Sequence, residues 1–308
     1  MIPDSGYHFP RATSMLRRVQ DERIVGLLYG QRALCIGALK PLNYIGTAAH
    51  SHHKLTPFKR LAHTGKMFEH VMFGDQKTAE LALNAVHGMH KRVVGETDED
   101  AGPWPAGSPY AAFDPELMWW TVAVMEDSAI WFYEHLVRPL TDGELEHFHQ
   151  DYIHFAELFG MPREAAPQSY REFRAWFDAE IASDRVFLTD EARYMGHASA
   201  FQIPMPVSRQ LGKRGHDALM LHSLPPRVRE LYGLTESPAS RRFAKAVIAV
   251  HPTIRRVLPD RFALGSCIPE FEMVAATEQR RIERGQYTPQ VTDDTVAQAL
   301  QERPRVPA

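Results

Sequence analysis

The sequence predicts an all-α protein of about ten helices in one domain, and three observations predict it. Apolar residues recur at helical spacing through most of the chain. Helix start and stop signals bracket those stretches. Strand-type alternation is scarce, and the extended-looking QIPMPVS at residues 202–208 reads as a loop by its prolines. A chain of 308 residues buries a substantial core. With 44% apolar and 24% charged residues, it has the balance of a soluble globular protein.

Residues 1–16 form an N-terminal arm, and the helical domain spans 17–285. The first long helix, residues 21–40, carries Ile24, Val25, Leu28, Ala33 and Ile36 and stops between Gly37 and Pro41. The second begins with Pro57 at N1 and ends at Gly74. Asp75 caps the third, which runs to Gly95. Residues 96–113 are acidic, then rich in proline and glycine, and read as a loop. Asp114, Pro115 and Glu116 then supply a cap, an N1 proline and an acid for a helix through residue 137.

That helix is apolar nearly all round, so it is the central one, with Met118, Trp119, Trp120, Met125 and Trp131 as core. Further helices follow at 141–160, 168–183, 225–233, 237–258 and 268–285. The last stretch, 286–308, is polar and proline-containing and reads as a poorly ordered tail.

Several function classes fall away. A net charge of −3 draws the chain neither to nucleic acid nor to an anionic surface as a whole. No apolar run is long enough to span a bilayer, and the N-terminus lacks the apolar stretch of a signal peptide. Cys35 and Cys267 make no disulfide framework, which fits a reducing, cytoplasmic setting. Nucleophile elbows, phosphate loops and C-x-x-C pairs are missing.

Histidine is the residue in excess, at 16. His87 and His90 lie roughly 300° apart on the third helix, on adjacent faces one turn apart. A histidine projecting into an apolar pocket is what a haem iron needs; a structural histidine is the alternative. On the second helix, Arg60, His63 and Thr64 share a face with Met67. They are able to bind a propionate or bound dioxygen, or simply to form a solvated basic face. The run from His50 to His53 points several ways and cannot ligate one ion as a set. Glu144-x-x-His147 and Glu146-x-x-His149 have di-iron spacing, but no second copy exists, so a solvated helix face explains them.

Taken in order, Phe73-Gly74-Asp75, Tyr110-x-Ala112-x-Asp114-Pro115-Glu116-Leu117 and Pro225-Pro226 with Leu231-Tyr232-Gly233 resemble the haem-oxygenating family of latex clearing protein and the fungal MpaB oxygenase. The resemblance runs from Arg17 to about residue 280. It implies a globin-like helical core around haem b with one axial histidine. His90, in His-x-Arg-Val, matches the iron-holding histidine. Arg60 and Thr64, in Arg-Leu-x-x-Thr, match residues near the haem, and His63 stands where the latex enzyme has a lysine. The implied reaction is cleavage of an isoprenoid double bond by dioxygen.

Two departures stand out. Relatives read Leu-Ala-His-Pro where this chain has Leu39-Lys40-Pro41, and Trp-x-His where it has Trp120-Thr121-Val122. A buried Lys40 would bind iron or substrate as a free amine; otherwise it snorkels to solvent. The expected function is oxidation, with dioxygen or peroxide, of a hydrophobic small molecule, isoprenoid or aromatic. Rubber itself does not suit a chain with no secretion signal. The alternatives are a non-enzymatic haem carrier or sensor and a di-iron oxygenase using Glu144 and His147.

Overall fold

The computed structural model describes residues 6–50 and 56–286. His52, His53 and the predicted tail from residue 287 lie outside the described residues, as does the His50 side chain. Among the described residues there are fourteen α-helices and one two-stranded ribbon, so the all-α class is borne out. In order they are α1 (Met15–Gln20), α2 (Arg23–Gly37), α3 (Pro41–His50), α4 (Pro57–Phe73), α5 (Gln76–His90), β1 (Val94–Glu96), β2 (Pro109–Ala111) and α6 (Pro115–Leu136). Then come α7 (Asp142–Leu158), α8 (Tyr170–Ala182), α9 (Asp190–Phe201), α10 (Gln210–Ser223), α11 (Pro226–Tyr232), α12 (Pro238–Val257), α13 (Asp260–Ala263) and α14 (Ile268–Glu283).

α6 is the axle of the molecule. Asp114 caps it by accepting from the amides of Glu116 and Leu117 at 2.9 and 3.0 Å. Trp119, Trp120, Met118 and Met125 are buried as expected, whereas Trp131 is only half-buried and stacks on His135. α2 packs along α6, and Trp120 donates its indole N–H to the carbonyl of Gly37 at 3.0 Å.

The centre of this apolar helix carries charge. Asp127 receives the buried Arg32 guanidinium at 2.6 Å on one oxygen and Arg174 on the other. Arg32 also donates to the Ser128 hydroxyl (2.9 Å) and the Ser223 carbonyl (3.1 Å). Burial opposes ionisation of Asp127, but the two arginines outweigh it and hold its pKa below the usual carboxylate range.

Glu126, one residue earlier, meets His149 at 2.9 Å, and both are fully buried. This corrects the solvated reading of α7, which holds for the exposed His147 but fails for His149. Spacing could not show it, because the partner sits on another helix.

Three further corrections concern boundaries. α5 ends at His90, not Gly95, because Val94–Glu96 pairs antiparallel with Pro109–Ala111, inside the stretch read as loop. A pairing partner some fifteen residues away is invisible to local periodicity. α3 starts at Pro41, where the first long helix was expected to stop. α9 and α10 were unforeseen because Gly196, Gly212 and Gly215 interrupt their patterning.

Gly196 has a packing role. A Cβ there would overlap the hydroxyl of Tyr232, which donates to the carbonyl of Cys35 at 2.7 Å, and would press on Ala38. Gly196→Ala is expected to destabilise by about 1–3 kcal/mol through overpacking. Urea unfolding checks this, and an unchanged midpoint would mean that α9 yields freely.

Candidate functional site

The predicted residues fall into three neighbourhoods joined by α3. The first is the end of α5. Asp75 caps this helix by accepting from the Thr78 amide at 2.8 Å, so its register is fixed from the start. At the other end, the His90 carbonyl accepts from Val93, and the Val93 carbonyl accepts from Ala112, both at 2.9 Å. The chain is thereby folded back beside Phe113, just before α6. The rings of His87 and His90 each lie 5.9 Å from the Phe113 ring, on which they converge.

Nδ1 of His90 and Nε2 of His87 are both buried with no hydrogen-bond partner. Burial, with a smaller contribution from His87, pushes the His90 pKa below its ordinary value. A neutral ring keeps a lone pair free, which is the state a metal ligand requires.

The second neighbourhood is the start of α4. Glu278 of α14 accepts from the Thr56 hydroxyl and from the amides of Phe58 and Lys59, the latter two at 3.0 and 3.2 Å. It thus satisfies the first turn of α4 from another helix. Arg60, one turn further on, is half-buried; burial lowers its pKa, while Tyr44 and Glu278 oppose that change. His63 and Thr64 are exposed, and the Thr64 hydroxyl donates back to the Arg60 carbonyl at 3.1 Å. Of this predicted trio, Arg60 alone is substantially withdrawn from solvent.

The third is Lys40, immediately before α3. Its side chain is 1% exposed and its ammonium lies 2.6 Å from Glu180 and 3.2 Å from Glu116, above the Trp104 and Trp120 rings. It does not reach out to solvent, and its nitrogen is taken up by two carboxylates rather than left open to iron or substrate, contrary to both expectations. It ties the start of α6 to α8. Val122, at the other position where the resemblance leads to the expectation of a histidine, is buried in the apolar core.

α3 links all three. Lys40 precedes it, Tyr44 on it faces Arg60 and donates to the Leu34 carbonyl at 2.7 Å, and Gly46 lies against Tyr110 and Val93. Sequence reasoning missed Tyr44 and Phe113, although the Tyr110-to-Leu117 motif brackets the latter.

Glu144 is committed elsewhere. A bidentate bridge to Arg138, at 2.9 and 2.6 Å, and the Thr141 capping box pull its pKa down to about 2. Among the described residues, no three His, Cys, Asp or Glu side chains group to hold a bare metal ion. Two clefts, of about 510 and 470 Å³, lie elsewhere: the first is lined by Tyr133 and Arg255, the second by Trp131 and His222.

Residues 16–256 match the family described as ER-bound oxygenase mpaB/B'/rubber oxygenase, catalytic domain. The chain belongs to this oxygenase family. His90, Arg60, Thr64 and Lys40 all fall inside the matched span, whereas α14 and its Glu278 lie beyond it. No curated protein and no solved structure matched the chain. The family description mentions ER-bound members; among the described residues of this one, no helix is long and apolar enough to cross a membrane.

Proposed function

We propose that this member of the oxygenase family is a haem b-dependent oxygenase acting on a hydrophobic small molecule with dioxygen. The observation that carries the reading is the His90 ring at the end of α5. It is kept neutral by burial, has an unpartnered buried nitrogen, and is steered by Phe113. One imidazole is a sufficient protein donor for an iron whose other ligands come from a porphyrin. When bound, haem would supply dioxygen activation at iron, the part of the chemistry that side chains cannot provide.

The chain's own residues have the following roles. His90 would hold the iron, and the edge-on Phe113 ring limits how far its imidazole can rotate. Arg60 keeps a cation at the half-buried start of α4, where a propionate carboxylate would pair with it. Thr64 and His63 lie one turn further on, at the more polar end. Isoprenoid or aromatic compounds are the substrate class proposed.

A non-catalytic haem carrier or sensor is the second reading. It is favoured by the ion-paired Lys40 and the apolar Val122, which stand at the two positions where the resemblance leads to the expectation of histidine. The di-iron alternative is not retained, because Glu144 is held by Arg138.

An absorption spectrum of the protein with added hemin tests the proposal, before and after dithionite and carbon monoxide. A Soret band near about 400 nm that shifts with both is the expected result for histidine-ligated iron with an accessible site. A spectrum identical to free hemin would sink it. Turnover of candidate alkenes then separates an oxygenase from a carrier.

A further inference from the structure

We propose that α12 and the α13 turn form a docking face for an anionic lipid surface. Five of the eleven large hydrophobic side chains exposed among the described residues lie here: Phe243 (49%), Val250 (53%), Ile254 (48%), Val257 (78%) and Phe262 (58%). Scattered exposed apolar residues are ordinary; a line of them is not. At 100° per residue, Phe243, Val250, Ile254 and Val257 all fall within about 40° of one line along α12, and Val247, at the edge of that stripe, packs on the core.

The helix is already anchored by a different face. Ala244 is fully buried, Ile248 packs on the core, the His251 ring meets the Leu136 carbonyl at 2.6 Å, and Arg255 clasps Glu22. The apolar line is therefore what remains after folding, on a rigid helix fixed to the body.

Charge identifies the partner. Residues 237–262 contain six Lys or Arg and one acid, Asp260, in a chain whose net charge is −3. Asp260 is already paired with Arg255. Arg242, Lys245, Arg256 and Arg261 are exposed along the same helix pair. An apolar stripe with cations on the adjoining solvent-facing flank is how an interfacial helix binds anionic lipid, its hydrophobic side chains reaching the acyl boundary and its cations the headgroups. A second copy of the chain would bring two cationic faces together, which like-charge repulsion opposes. The proposal does not depend on the haem reading and would hold for the apoprotein.

The test is flotation of the full chain with vesicles of equimolar phosphatidylcholine and phosphatidylglycerol, against phosphatidylcholine alone. The expected result is binding to the anionic vesicles only, weakening as salt rises. Val257→Glu with Phe262→Glu should cut binding at least about tenfold, and Arg242→Ala and Arg256→Ala roughly fivefold each. All four side chains are exposed, so the variants should melt with wild type; Val257→Ser serves if the double variant does not fold. Absence of flotation at low salt would overturn the proposal, as would equal flotation of the Val257 and Phe262 variant. So would sedimentation showing a dimer that this variant dissociates, which would assign the stripe to a second copy.

Discussion

His90→Ala is expected to abolish stable haem retention, leaving at most the weak, spectrally broad association of hemin with apolar surface. The expectation rests on an imidazole without a protein partner for its buried Nδ1 and with a charge state already suited to ligation. Its decisive control is His87→Ala, because His87 also carries an unpartnered buried nitrogen and faces the same Phe113. The His87 variant should retain hemin with at most a modest spectral change. The opposite pattern would assign the iron to His87, and retention by both would remove the site from this helix end.

The pH dependence follows with a definite sign. Burial lowers the His90 pKa, so the ring stays neutral below the ordinary histidine value of about 6.5. Haem should be held through that value and released as pH falls through the lowered one. The same shift adds a stability contribution to the apoprotein that is present above about 6.5 and lost as pH falls through the folded-state value. Release already complete at about 6.5, seen in a Soret titration, would contradict a buried ligand.

Asp127→Ala should be among the most damaging single changes to the fold, costing about 3–5 kcal/mol. Arg32 is 2% exposed, and without Asp127 its charge would rest on a hydroxyl and a carbonyl alone. Arg174 would lose the same anchor and keep only Asp178. Against a typical total stability of about 5–15 kcal/mol, such a loss threatens the folded state at physiological temperature. Replacing both buried partners, as Arg32→Met with Asp127→Leu, should recover most of it, since matched apolar groups carry no desolvation cost. Urea unfolding of the single and double variants decides; a single-variant loss under about 1 kcal/mol would mean that water reaches Arg32.

How much of this was legible in the sequence depends on the range of the signal. The cap, proline and acid opening α6 are local, and the helix begins where they place it. The Asp75 cap and the Pro57 start were equally readable. The end of α5 was not, because it is set by a pairing between Val94 and Ala111 across an intervening loop. The candidate site shows the same division. His90 was singled out by its residue type and by the family resemblance, whereas Phe113 beside it was reachable only through the fold. Lys40 was misjudged because its carboxylate partners, Glu116 and Glu180, stand some 76 and 140 residues further along the chain. His149 likewise meets an acid on another helix.

The Glu278 cap on α4 bears on the order in which the molecule is built. The residue that completes the first turn of α4 is encoded some 220 positions after Thr56. During synthesis from the N-terminus, the segment bearing Arg60 leaves the ribosome long before that carboxylate exists. Its leading amides must meanwhile be met by water. Contacts of such separation form late, because the intervening chain has to be gathered first. The helix that positions Arg60 is therefore closed last, by a stretch of chain outside the span shared with the family.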